Sequence, residues 1–157
     1  MTSLEILSLV LAFCAVIGAF MPRVPSAIVA YLSLLPLVAH TVPGQSRTLI
    51  FWGIAAAIAT VIQYWGGRQR AGAGRWYVVC GALIGVLLGY LLSPTQGMVI
   101  VGSAFGALLG GVAYLRTPQS RRLGEGAADF ASFIAWLGLP AVVTFSVCAI
   151  SLSSILL

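Results

Sequence analysis

Few residues in this chain have side chains able to do chemistry. Among 157 residues the acids are Glu5, Glu125 and Asp129, and all eight basic residues are arginine. Glu125 and Asp129 stand four apart at the start of the last apolar run, with Ser132 on the same side, because positions i and i+4 share a helix face. A carboxylate at mid-membrane costs about 2.5–3.5 kcal/mol on insertion scales, so one placed there points to proton or ion movement through a wet crevice. Here Glu125 falls at the membrane interface and Asp129 about one turn deeper. That offers a plainer alternative, acids at a helix N-terminus that suit its dipole, with Arg121 or Arg122 as partner. The second group is Arg68, Arg70, Arg75, Arg116, Arg121 and Arg122, which flank the segment 76–115. Guanidinium forks match phosphate oxygens, so the chemistry they suggest is contact with a lipid phosphate. General anchoring of basic loops on anionic lipid explains the same residues.

No catalytic set is legible. Ser93, Ser103, Thr144, Ser146 and Ser151 have no base beside them, since the one histidine, His40, belongs to another segment. Cys14, Cys80 and Cys148 sit inside apolar runs without C-x-x-C spacing, and read as thiols behaving as small hydrophobes. One histidine and three scattered acids do not make a metal site, so no metal, no cofactor and no enzymatic activity are expected. A sequence pI of about 9.6 could signal nucleic acid. No basic groove interleaved with aromatics supports that, and no nucleic-acid partner is expected.

Composition decides what must position these residues. The chain is 61% hydrophobic and 7% charged, with a mean hydropathy of +1.08, whereas soluble domains carry roughly 25% charged residues. Nearly all of it belongs in lipid, as one integral membrane domain over residues 1–157. The breaks divide it into six spans. The first covers 3–21, opened by Thr2 and Glu5 as a capping box; with no arginine before it, it reads as a retained helix rather than a signal peptide. Pro22 and Pro25 end it. The second covers 26–41 and is expected to kink at Pro36. The third covers 48–65 and ends on the interfacial aromatics Tyr64 and Trp65. A polar loop, 66–75, leads to spans at 76–92 and 98–115, and a second basic loop, 116–124, leads to 125–157. That last stretch reads as one tilted span broken at Gly138-Leu139-Pro140, or as two half-spans.

The most informative stretch is 76–115. Gly81, Gly85 and Gly89 recur every four residues before the turn Ser93–Gly97, and Gly102, Gly106 and Gly110 do so after it. Each triplet lines one helix face. Glycine costs about 1 kcal/mol per helical position in water, and the compensation available in a membrane is close backbone approach through small-residue faces. Hence an antiparallel glycine-zipper hairpin is expected at the centre of an all-α bundle. Substitution at Gly85 or Gly106 should disrupt it, while Val86 and Leu108, off the glycine face, should tolerate change. The cores GALIGVLLG and GSAFGALLG are identical at five positions, an inverted repeat. Each run is barely long enough to cross the hydrocarbon, so a re-entrant pair is the alternative.

Arginine placement orients the spans. Arg23, Arg68, Arg70, Arg75, Arg116, Arg121 and Arg122 fall on one side and Arg47 alone on the other. The positive-inside rule then makes both basic loops cytoplasmic and places both termini outside.

From about Pro22 onward the chain resembles the bacterial small integral-membrane family filed as "domain of unknown function 456", in the glycine-zipper membrane group. The resemblance rests on the proline pair Pro22 and Pro25, the run Gly81-Ala82, Gly85 and Gly89, the second run Gly102, Gly106-Ala107 and Gly110, and the basic loop with the small-residue-rich helix at Arg121–Ala135. The chain departs from the family pattern at Ser26, where a glycine is favoured, at Ser103, where a proline is usual, and at Gly111, where a glutamate is common. The resemblance implies a bacterial inner-membrane location and a fold, with no activity attached. The function expected is a non-enzymatic assembly or accessory component that meets membrane lipids, a second copy or another membrane protein. The alternative is a small transporter or channel for a lipid or ion, built on the inverted repeat.

Overall fold

The computed structural model describes the backbone of residues 3–21, 23–40, 46–70, 74–123 and 126–156, and their side chains except at 39–40, 46, 66–70, 121–123 and 156. Six α-helices occupy the described residues: α1 Ser3–Phe20, α2 Ser26–His40, α3 Ser46–Arg70, α4 Gly74–Leu92, α5 Gln96–Leu115 and α6 Ala127–Leu156, with a 3-10 turn at Pro118–Leu123. No strand occurs among them. Five of the helices are long and apolar enough to cross a membrane. α2 has 15 residues and rises about 22 Å, short of the roughly 30 Å hydrocarbon core.

Several boundaries differ from the sequence reading. Gly66–Arg70 continue α3, and Gly74 and Arg75 already belong to α4, so the expected loop at 66–75 is helical at both ends, and its residues 71–73 lie outside the described residues. Gln69, Arg68 and Arg70 are good helix formers, which lets α3 run on once it leaves the apolar core. The expected break at Gly138-Leu139-Pro140 is absent, since α6 is continuous over 30 residues with Pro140 inside it. Pro140 is buried against its neighbours, and membrane helices tolerate proline where surrounding groups satisfy the freed backbone. Pro36 likewise stays inside α2. α5 starts at Gln96, with Thr95 as N-cap accepting from Met98 N at 3.5 Å.

The bundle is organised around α6. In its apolar stretch 67% of residues are buried, against 28–39% in the other four long helices. Phe133, Leu137, Ala141 and Phe145 recur every four residues and close one core with Val78, Val79 and Ala82 of α4 and Val99, Ala107 and Tyr114 of α5. Val143, Val147 and Ile150 close a second core with Ala12, Ala15, Ala27, Ala30, Ala56 and Ala59, drawn from α1, α2 and α3. α6 is thus a wedge between a three-helix group and the α4/α5 pair. Alanine at the contact points lets these helices approach closely, which is how helices associate where lipid is as apolar as leucine.

Hydroxyls join α6 to its neighbours at buried positions. Ser26 and Thr144 lie 3.1 Å apart, Ser33 and Ser151 3.2 Å, and Ser103 and Ser146 3.3 Å. Thr144, Ser33 and Ser103 each donate to a carbonyl of their own helix, those of Pro140, Ala30 and Ile100. A hydroxyl has one proton, so Ser26, Ser151 and Ser146 are the donors across the helix contacts. Ser8 of α1 adds a bond to Ser33 O at 2.6 Å. Such contacts stabilise membrane bundles by about 0.6 kcal/mol each on average, so their effect here lies mainly in fixing rotation and register.

Candidate functional site

The two glycine triplets meet face to face. A Cβ on Gly81 would run into Gly106 O and lie 3.1 Å from Gly110 Cα; one on Gly85 would run into Gly102 O and lie 3.0 Å from Gly106 Cα. In return, a Cβ on Gly102 would meet Gly85 O, on Gly106 Gly81 O, and on Gly110 Tyr77 O. Gly89 faces Met98 and Val99. The order reverses along the pair, so α4 and α5 run antiparallel, and all six glycines are engaged within one chain. Val86, expected to lie off the glycine face and to tolerate change, is only 6% exposed and belongs to the α4/α5/α6 core, whereas Leu108 is 45% exposed. Two adjacent positions on a helix differ by only 100°, and α6 covers the second flank of α4 as α5 covers the first. The outer side of the seam is an open apolar groove of about 640 Å³, bordered by Ile84, Leu88, Val101, Phe105 and Leu109.

The arginines do not act as one group. Arg75 turns inward. Only 7% exposed, it donates from Nε and Nη2 to Ala19 O at 3.1 and 3.0 Å, and from Nη2 to Met21 O at 3.1 Å. It therefore caps the C-terminus of α1, whose last carbonyls lack helix partners and carry the negative end of the dipole. The expected lipid-phosphate contact at Arg75 gives way to this role, because the guanidinium is committed to carbonyls. Arg116 is exposed at the C-cap of α5. Arg68 and Arg70 fall in the last turns of α3 and Arg121 and Arg122 in the 3-10 turn; their side chains lie outside the described residues.

Asp129 stands in the first turn of α6, half-buried, with its backbone N–H donating to Gly126 O at 3.1 Å. This is the position at which a carboxylate complements a helix dipole. Glu125, the expected companion, lies outside the described residues, as does the Thr2 of the expected capping box. Glu5 is in the first turn of α1. Cys14 and Cys80 are exposed and Cys148 is buried, its Sγ 3.5 Å from Ala12 O.

Ser26, Ser103 and Gly111 each have a local explanation in the packing. Ser26 and Ser103 are the hydroxyls that meet Thr144 and Ser146 of α6. Gly111 faces Ile134 and Phe130, whose side chains fill the space a larger residue would need. Gly74 is constrained in the same way, with Phe133 Cζ 2.7 Å and Tyr114 Cε1 2.8 Å from where a Cβ would stand.

These contacts also set the ends of the bundle. Arg75 at the start of α4 reaches the end of α1. Gln63 near the end of α3 donates to Val24 O between α1 and α2 at 2.8 Å. Tyr114 near the end of α5 stacks on Phe133 of α6 with ring centroids 5.5 Å apart. The segments bearing Arg23, Arg68, Arg70, Arg75 and Arg116 therefore share one end. Arg75 and Gln63 in these roles were not legible in the sequence. The one available signal was that each is polar and close to the end of an apolar run. No family model, no curated protein and no solved structure matches the chain.

Proposed function

We propose that the chain is a non-enzymatic component of the bacterial cytoplasmic membrane, of the glycine-zipper class it resembles in sequence, serving as an assembly or accessory subunit. In this reading α2 completes six spans, the α4/α5 pair is a zipper hairpin closed within the monomer, and the basic end faces the cytoplasm. The partner is membrane lipid together with a second copy or another membrane protein, taken at the apolar outer face of α4 and α5. The observation that carries the proposal is the commitment of the interior. The buried hydroxyls bond α6 to its neighbours, the glycines meet backbone, and the surface left over is apolar.

Two measurements test it. With the native cysteines replaced, single cysteines introduced as Arg70→Cys and Ser120→Cys should be labelled by a membrane-impermeant thiol reagent only after the cells are opened. Labelling of either from outside would overturn the orientation. Purified protein in vesicles should move no proton, cation or fluorescent lipid above empty vesicles, and Asp129→Asn should change only stability, by about 0.3–1 kcal/mol through the lost dipole interaction. Movement by the wild type that disappears in a well-folded Asp129→Asn variant would replace the proposal with the transporter reading.

A further inference from the structure

At the basic end, where α1 and α3 finish and α4 starts, a small space remains against α6. Ser26, Gln63, Arg75, Trp136, Leu137 and Pro140 line it, and it measures about 10 Å³. That is at the lower edge of the roughly 10–15 Å³ that a single water requires. Gln63 is 7% exposed. Its Nε2 donates to Val24 O at 2.8 Å, and because a carbonyl only accepts, this bond settles which way round the amide lies. Gln63 Oε1 is then a buried acceptor that no donor reaches among the described residues. Arg75 uses Nε and Nη2 on Ala19 O and Met21 O; of its five N–H groups this leaves the two on Nη1.

We propose that this space is a binding site for one water molecule, which donates to Gln63 Oε1 beside the Arg75 guanidinium. The chemistry of the walls selects water over ions. An anion would face Gln63 Oε1 and a set of backbone carbonyls already turned toward Arg75. A cation would stand against a guanidinium whose charge no described carboxylate neutralises. A phosphate group exceeds the volume. Water is the ligand that donates to an orphan acceptor and accepts from a cationic donor in the same place. So placed, it links α3 to α4 beside Pro140, where α6 has no N–H to contribute.

X-ray radiolytic labelling tests the site, because hydroxyl radicals formed from a bound water oxidise the side chains around it. The full-length protein in lipid nanodiscs would be mixed into H2(18)O immediately before exposure. Leu137 and Pro140, both buried, should be oxidised with unexchanged oxygen, while exposed residues such as Trp65 take the heavy isotope. Gln63→Leu should lose most of the labelling at both positions, and Gln63→Glu, which keeps an acceptor there, should retain it. Absence of labelling at Leu137 and Pro140 in the wild type would overturn the proposal. So would equal labelling in a folded Gln63→Leu variant, or uptake of the heavy isotope at the same rate as at Trp65. Should Gln63→Leu not fold, the isotope comparison within the wild type decides alone.

Discussion

Gly106→Ala is expected to destabilise the bundle by about 1–3 kcal/mol, the usual cost of forcing atoms into a packed contact, and Gly106→Leu to prevent α4 and α5 from closing. A methyl at Gly106 would enter the space of Gly81 O and lie 2.9 Å from Gly85 Cα. Both obstacles are backbone, so no side chain can rotate away, and relief requires the helices to separate along their whole seam. The same step should loosen α6, because Ala107, next along the chain, belongs to the core that α6 closes. Gly97→Ala is the matched control, since nothing lies within 4 Å of a Cβ there. Leu108→Ala, on the exposed face, controls for side-chain loss. Unfolding by SDS titration in mixed micelles, followed by circular dichroism, reads the difference. Equal midpoints for the Gly106→Ala and Gly97→Ala variants would mean that the glycine contacts do not hold the pair together.

Arg75→Leu should be the other severe change, at about 3 kcal/mol or more. Hydrogen bonds from a charged donor are each worth about 1.5–3 kcal/mol, and Arg75 makes three, all to carbonyls at the end of α1. Removing it leaves Ala19 O without the guanidinium and Met21 O with only the Val24 N–H at 3.4 Å. Arg75→Lys should recover part of the loss, because an ammonium is a point donor that cannot span two carbonyls as a planar fork does. The expected order of SDS unfolding midpoints is wild type, then Arg75→Lys, then Arg75→Leu. Arg116→Leu, at an exposed position, should move the midpoint far less. A Leu variant as stable as wild type at position 75 would show that α1 is held without this clamp.

How far the sequence could be read depended on whether a feature was local. Helix existence followed from apolar runs between proline and glycine breaks, because a chain that leaves water must satisfy its backbone internally. The glycine faces were legible as well, since their period of four puts them on one side whatever the helix packs against. Boundaries were less legible at 66–75, where glycine and arginine read as loop and yet α3 and α4 take up all but the residues outside the described set. Asp129 was read as lying about one turn inside a span that starts at 125, and the start of α6 at Ala127 puts it in the first turn instead. Arg75 was grouped with Arg68 and Arg70 because all three are basic and adjacent to one another, and nothing in their spacing separated the one that turns inward.

By itself, then, the amino-acid sequence determined that the chain is helical, that it belongs in a membrane, and which face of each of two helices is smooth enough for backbone contact. These are properties of composition and period, and they hold for each segment alone. The tertiary structure decided which helix lies at the centre. The glycine pair dominates the sequence, yet α6 is the helix that fills both cores, because it presents Phe133, Leu137, Ala141 and Phe145 to one side and Val143, Val147 and Ile150 to the other, where α1 gives Ala12 and Ala15 to one core and Ala19 to the other. A helix that is apolar all round carries no moment to say which neighbour takes which face. Only the meeting of Ser26 with Thr144, of Ser103 with Ser146 and of Arg75 with Ala19 O assigns them, and those pairs lie 118, 43 and 56 residues apart in the chain, beyond the reach of any local pattern.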